Sequence, residues 1–162
     1  MNESLEYYLQ LFSKMNRACV GGYRAPHKII LLLAVADNIS KEIIDSSRIF
    51  LDDSLVCSFK FLWKRYVDDG NGKEVFCVAE GLNIEVPRKY PFKCDISNPF
   101  YHMQHEPFWT LIKSSTWEKK NGYSVAALKK LYSHAEIDNR LFDLLKDNNA
   151  RNEICTRLVN MI

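Results

Sequence analysis

Eight consecutive apolar residues, Ile29-Ile30-Leu31-Leu32-Leu33-Ala34-Val35-Ala36, constrain this chain more than any other feature. A run of that length leaves no face for water, so it predicts a helix buried on every side and a fold assembled around it. The helix is expected from about Pro26 to Ser40, because proline suits a first turn whose N–H needs no partner. His27 and Lys28 then fall on the opening turn, at the positive end of the helix dipole, with Arg24 just outside. Cations are mildly disfavoured there. An anion from outside would relieve that cost, since backbone N–H groups and basic side chains would converge on it. Two readings stand at this point: a core helix with ordinary basic residues at its rim, or an anion site.

On either side of the run the periodicity is mainly helical. Leu5, Tyr8, Leu9, Phe12 and Met15 predict a helix over 4–17 with Ser4 as its N-cap. Gly21-Gly22 marks a turn, and Arg48 to Leu51 a short extended piece. Asp52 or Asp53 caps a helix that places Leu55, Phe59, Leu62, Trp63 and Tyr66 on one stripe, with Lys60, Lys64 and Arg65 opposite. The stretch Asp68-Asp69-Gly70-Asn71-Gly72 breaks it. Between Lys73 and Val86 two short strands are expected around Glu80-Gly81, followed by a basic, proline-punctuated loop from Pro87 to Pro99. Phe100 to Trp117, rich in aromatics and broken by Pro107, reads as short strands rather than helix. Ser124 caps a helix with Leu128 and Leu131. Asp138 or His134 opens another with Leu141, Leu144 and Leu145, and Asn148-Asn149 separates it from a last helix with Ile154, Leu158 and Met161. The expected fold class is mainly α with a small β element in the middle third (α+β), a single compact helical domain over 1–162.

Charge is unevenly distributed. Residues 1–87 carry ten Lys/Arg against twelve Asp/Glu, whereas residues 88–134 carry eight against three. A basic, aromatic-rich segment is the pattern of a nucleic-acid surface, and equally of a solvated face. The five cysteines are scattered without a C-x-x-C pair, which argues against a disulfide framework or a zinc site and for reduced, partly buried thiols. No apolar run approaches a membrane span and no signal peptide opens the chain, so a soluble cytoplasmic protein is expected. Glycine-rich phosphate loops and H-E-x-x-H are absent from the sequence. His102, His105 and Glu106 could supply metal ligands, but three on one short stretch have no evident geometry. No cysteine is nominated as a nucleophile and no carboxylate pair stands out. The residues point to a binding module rather than an enzyme, with neither cofactor nor metal.

A second informative stretch is Asn98-Pro99-Phe100-Tyr101-His102-Met103-Gln104-His105-Glu106-Pro107-Phe108-Trp109. Most of its apolar rings belong in a core. Pro99, Tyr101 and His102 are harder to place there, and polar-tipped rings beside a proline make a good pocket rim.

Taken together, A-P-H-K-x-x-L-L-L-A at Ala25 to Ala34, the Pro99 to Trp109 segment, and L-F-x-L-L-x-D-x-x-x-R at Leu141 to Arg151 resemble the N-terminal domain of bacterial HNH-type restriction endonucleases. That family includes the sulfur-binding domains of type IV restriction enzymes, which recognise phosphorothioate-modified DNA. The resemblance covers nearly the whole chain. It implies binding of double-stranded DNA here and cleavage by a separate HNH nuclease domain, for which the eleven residues after Arg151 leave no room. The family's basic pair falls on His27 and Lys28, with Arg24 beside them and a later basic residue at Lys119 or Lys120. Its sulfur-contacting segment, usually aromatic-Pro-Phe, falls on Asn98-Pro99-Phe100, with Tyr101 and His102 following. Asn98 departs from the aromatic, and Tyr90 is an alternative source of that ring. A sulfur atom is larger and more polarizable than oxygen and a poorer hydrogen-bond acceptor, so an apolar wall would favour it while cations hold the backbone charge. The alternatives are a general DNA-binding domain of a restriction enzyme and, third, a protein-interaction domain using the Leu/Phe-rich C-terminal helices.

Overall fold

The computed structural model describes residues 2–69, 75–79, 84–88, 90–119 and 123–162. At its centre is α2 (His27–Ser40), eleven of whose fourteen residues are buried. Ile29, Ile30 and Leu31 have no exposed surface at all. The N-cap is Pro26, which offers the helix no side-chain hydrogen bond.

Helix α1 (Glu3–Ser13) packs its Leu5, Tyr8, Leu9 and Phe12 face inward. Its cap is Asn2 rather than Ser4: the Asn2 side chain accepts from the N–H groups of Ser4 and Leu5. The Gly21-Gly22 turn closes a small hairpin, β1 (Cys19–Val20) against β2 (Tyr23–Arg24). Both glycines have positive φ, the conformation a two-residue hairpin turn requires. Helix α3 (Asp53–Trp63) is capped by Asp52 and buries Leu55, Phe59 and Trp63. It continues as a π-helical turn, Lys64–Asp68, which the periodicity did not show. A polar tie joins α2 to α3 inside the core. Asn38 donates to the Ala34 carbonyl and to Ser58, and accepts from Ser54.

Strands β4 (Val75–Ala79) and β5 (Ile84–Arg88) pair antiparallel as expected; the Glu80-Gly81 turn assigned between them lies outside the described residues. The expectation of short strands over Phe100 to Trp117 holds at β6 (Trp109–Lys113) and is corrected for the residues before it. The chain instead forms α4 (Ser97–His102) and a 3-10 turn, Met103–His105, before β6 begins. Pro99 falls in the first turn of α4, where a missing N–H costs nothing. Phe100 and Met103, three apart, then share one buried face.

Helix α5 (Val125–Leu131) starts at Ser124, as read. It leads directly into a strand that was not expected, β7 (Tyr132–Ile137), so His134 lies in a sheet rather than at a cap. The sheet order is β3-β7-β6, where β3 is Arg48–Ile49, and all its pairs are antiparallel. The β content therefore reaches well beyond the middle third. Helix α6 (Asn139–Lys146) follows Asp138, whose carboxylate accepts from Tyr8 at 2.8 Å instead of capping the helix. Helix α7 (Asn148–Asn160) begins directly after, with Asp147 accepting from the Ala150 N–H. One hydrophobic cluster draws on α1, α2, α3, the β3-β7-β6 sheet, α6 and α7, which makes this a mainly helical α+β fold. No helix among the described residues is long and apolar enough to cross a membrane.

Candidate functional site

The N-terminus of α2 opens onto a cavity of about 250 Å³. Its basic lining comes from three directions: Arg17 from the segment after α1, His27 and Lys28 from α2, and His102 and His105 from α4 and the turn beyond it. Asn98 adds an amide, and Ala18 and Ala25 supply methyl groups. Because Pro26 offers no capping side chain, the first N–H groups of α2 have no capping acceptor there. The cavity thus combines helix-dipole polarity with converging cations, the arrangement that binds anions.

Its cations differ in how they are held. Lys28 is buried and pairs with Glu106 at 3.3 Å, both side chains being less than a tenth exposed. Glu106 also accepts the Asn16 N–H at 2.8 Å, so the carboxylate ties the chain after α1 to α2. Arg17 is 9% exposed. Its Nε donates to the Ala25 carbonyl at 2.8 Å and its Nη1 to the Met161 carbonyl at 3.0 Å, while Nη2 has no hydrogen-bond partner among the described residues. Burial, then the nearby Arg24, pushes the Arg17 guanidinium down to about 10; it stays charged at neutral pH.

The histidines are held differently. His27 Nε2 lies 2.8 Å from the Lys93 carbonyl oxygen, and its ring rests against Trp63 and Phe92. Burial lowers its pKa, with the Lys93 carbonyl and Asp95 opposing. At neutral pH the ring is therefore neutral and donates Nε2–H to that carbonyl. His102 and His105 stack with centroids 5.7 Å apart. The His102 pKa is lowered first by partial burial, then by His105 and Lys28.

The remaining expected site residues scatter. Arg24 is exposed on β2, outside the cavity but close enough to act on Arg17. Pro99 is buried in the first turn of α4 and does not line the cavity, so the proline wall expected for sulfur is not presented. Tyr101 stacks on Tyr123 at 4.1 Å, and Tyr90 packs between Tyr23 and Phe92. Tyr90 reaches the cavity only by acting on Arg17. Lys119 is exposed, and Lys120 lies outside the described residues. His102, His105 and Glu106 do not form a metal site, since Glu106 turns inward to Lys28, and no group of three metal-type ligands exists among the described residues. Three cysteines expected to be partly buried, Cys19, Cys57 and Cys94, are exposed thiols.

Reading the sequence missed Arg17. Its two backbone acceptors are 8 and 144 positions away, so no local pattern marks it. It also missed how the later lysines group. Ser114 and Thr116 donate to the Lys130 carbonyl, which holds the turn after β6 against the end of α5. Lys113, Lys119, Lys129 and Lys130 are exposed there, with Lys113 Nζ 3.8 Å above the Trp117 ring.

No protein-family model matches the chain, and a search of curated proteins returns no relative.

Proposed function

We propose that this chain is a DNA-binding module that seats a backbone phosphate, and preferentially a phosphorothioate, in the cavity at the start of α2. The observation that carries the reading is the gathering of Arg17, Lys28, His27, His102 and His105 around the uncapped helix terminus. A phosphodiester group brings the negative charge that this lining lacks, on oxygens that accept hydrogen bonds. The resemblance of three sequence segments to restriction-enzyme DNA-binding domains supports the same class of ligand. So do the exposed lysines around Trp117, which suit contact with further phosphates and stacked bases.

Sulfur selectivity takes a modified form in this reading. With Pro99 buried, the soft wall consists of Ala18, Ala25 and the edges of the histidine rings. A sulfur atom loses less hydration than oxygen on entering such a wall, whereas the oxygens keep the guanidinium and the amides. The chain binds and positions; strand cleavage belongs to an HNH nuclease fused to it or associated with it. The test is a side-by-side titration of the full chain with phosphorothioate and ordinary duplexes of one sequence at one salt concentration. Binding to both, tighter for the modified duplex, is expected. Equal affinities would remove the sulfur preference and leave a general DNA binder, and no binding at low salt would overturn the reading.

A further inference from the structure

Two buried side-chain nitrogens among the described residues lack a hydrogen-bond partner, Trp109 Nε1 and Arg17 Nη2. Only Arg17 carries a charge and lines a cavity. It has no carboxylate partner among the described residues, since Glu106 is committed to Lys28 and the Asn16 N–H. An uncompensated buried cation is costly, and its natural counter-charge is whatever enters the cavity. The fixed charges around it nearly cancel: Arg17 and Lys28 are positive and Glu106 is negative. One net positive charge faces the ligand, and the rest of the lining is uncharged amide and methyl groups with three imidazoles.

We propose that the cavity binds a tetrahedral oxyanion together with a proton, which His102, stacked on His105, takes up from solvent while Arg17 supplies the fixed charge. The inference rests on the DNA-backbone reading and names how that site is regulated. The geometry provides for it. His102 faces His105 at 5.7 Å and the Tyr101 ring at 5.0 Å, with Lys28 acting on it from α2. Arg17 lines the same cavity from the segment after α1, and Asn98 adds a neutral amide from α4 itself. His27 is held separately, by the Lys93 carbonyl with Asp95 nearby. The two groups that act on His102, the His105 ring and the Lys28 ammonium, both disfavour its charged form, and the Glu106 carboxylate is taken by Lys28. That surrounding disfavours the charged form of His102 until an anion arrives. A bound oxyanion reverses the balance, because an opposite charge within ~4–6 Å favours the imidazolium.

Sulfate is the probe, because it stays doubly charged across the range in which histidine titrates. The full chain is titrated with sulfate, and in parallel with an ordinary DNA duplex, at about pH 8 and about pH 5.5. Backbone amide signals of His27, Lys28 and Ile29 and the Arg17 side-chain signals report the site. Sulfate is expected to shift these signals and to bind roughly tenfold tighter at the lower pH, the gain from about one unit of pKa rise in the bound state. His102→Gln with His105→Gln, both at exposed positions, should retain the fold and flatten that pH dependence. Arg17→Lys should weaken sulfate at both pH values; if it fails to fold, the histidine variant still decides. Affinity independent of pH, a slope that survives the double substitution, or shifts confined to other residues would each overturn the inference. Proton-linked sulfate binding without duplex binding would instead reject DNA as the ligand and leave the oxyanion site standing. Duplex binding without proton uptake would reject only the inference.

Discussion

Arg17 and Lys28 are each more than nine-tenths buried at the start of α2, whereas Lys113, Lys119, Lys129 and Lys130 stand in solvent around Trp117. The first group is fixed by protein partners: two backbone carbonyls hold the guanidinium, and Glu106 holds the ammonium. Such charges are preorganised and little screened, so they can tell one ligand group from another. The second group is exposed and screened and treats every phosphate alike. Selectivity should therefore come from the cavity, and salt-sensitive affinity from the lysines. The cavity's charges are also part of the fold, and this sets the order of the effects expected on breaking either region.

The largest effect falls on stability. Lys28→Ala leaves the Glu106 carboxylate buried without its cation, still holding the Asn16 N–H. Removing one partner of such a pair costs about 3–5 kcal/mol. Chemical denaturation should show that loss, with much of it recovered in the Lys28→Met, Glu106→Gln double variant. A fully stable Lys28→Ala protein would mean that the pair is not buried as described, and would return Lys28 to the role of a simple phosphate contact.

Next in size is the sulfur preference, about 1–3 kcal/mol for a single-group discrimination in a pocket. Ala25→Ser places a hydroxyl in the soft wall and should erode the ratio between phosphorothioate and ordinary duplexes, with ordinary binding largely kept. Pro99→Asn should act on stability instead, because Pro99 is buried in the first turn of α4. A Pro99 variant that folds normally but loses the ratio would restore the proline wall that the sequence suggested.

Acid should weaken the free protein by a smaller amount, since the His102 side chain keeps solvent contact. The ordinary histidine value is 6.5, and the folded values of His27 and His102 lie below it. The unfolded chain therefore binds these protons first. Stability is complete above about pH 6.5 and declines as pH falls through that value toward the folded ones. Thermal melts between about pH 7.5 and pH 5 should show the decline, and His27→Gln should reduce it. Sulfate should protect most at the acid end if it binds with a proton.

How much of this could be read in advance follows from the range of the interactions. The eight-residue apolar run announces α2 because burial on all sides is written in consecutive residues. Asp52 and Ser124 announce their helices because a cap is a bond across three positions. The hairpin carrying Gly21 and Gly22 was legible only as a turn, since its strands are two residues each. Helix α4 was hidden by the prolines around it, and β7 by the lack of a contrasting pattern: its register is supplied by β6 and β3, remote in sequence. His27 and Lys28 were visible at the rim of the site. The Lys28 pair with Glu106 spans 78 positions and the Arg17 contact with Met161 spans 144, and no local spacing encodes either.

The smallest expected effects are those of the exposed lysines, and they test the other half of the comparison. Lys129 and Lys130 follow one another near the end of α5, and the Lys130 backbone carbonyl accepts from Ser114 and Thr116. Their side chains are exposed, so Lys129→Gln and Lys130→Gln should leave stability within about 0.5 kcal/mol of the parent. If each ammonium meets a phosphate, each substitution should lower the slope of log affinity against log salt by about 0.9. The loss should be equal on modified and ordinary duplexes, because an exposed ammonium responds to charge and not to the identity of the atom that carries it. Lys113 should matter less than either, since its ammonium already lies 3.8 Å from the Trp117 ring. A change in the ratio between the two duplexes would show that the lysines reach the cavity's ligand. An unchanged slope would place the DNA elsewhere and leave the cavity as the sole contact supported by the geometry.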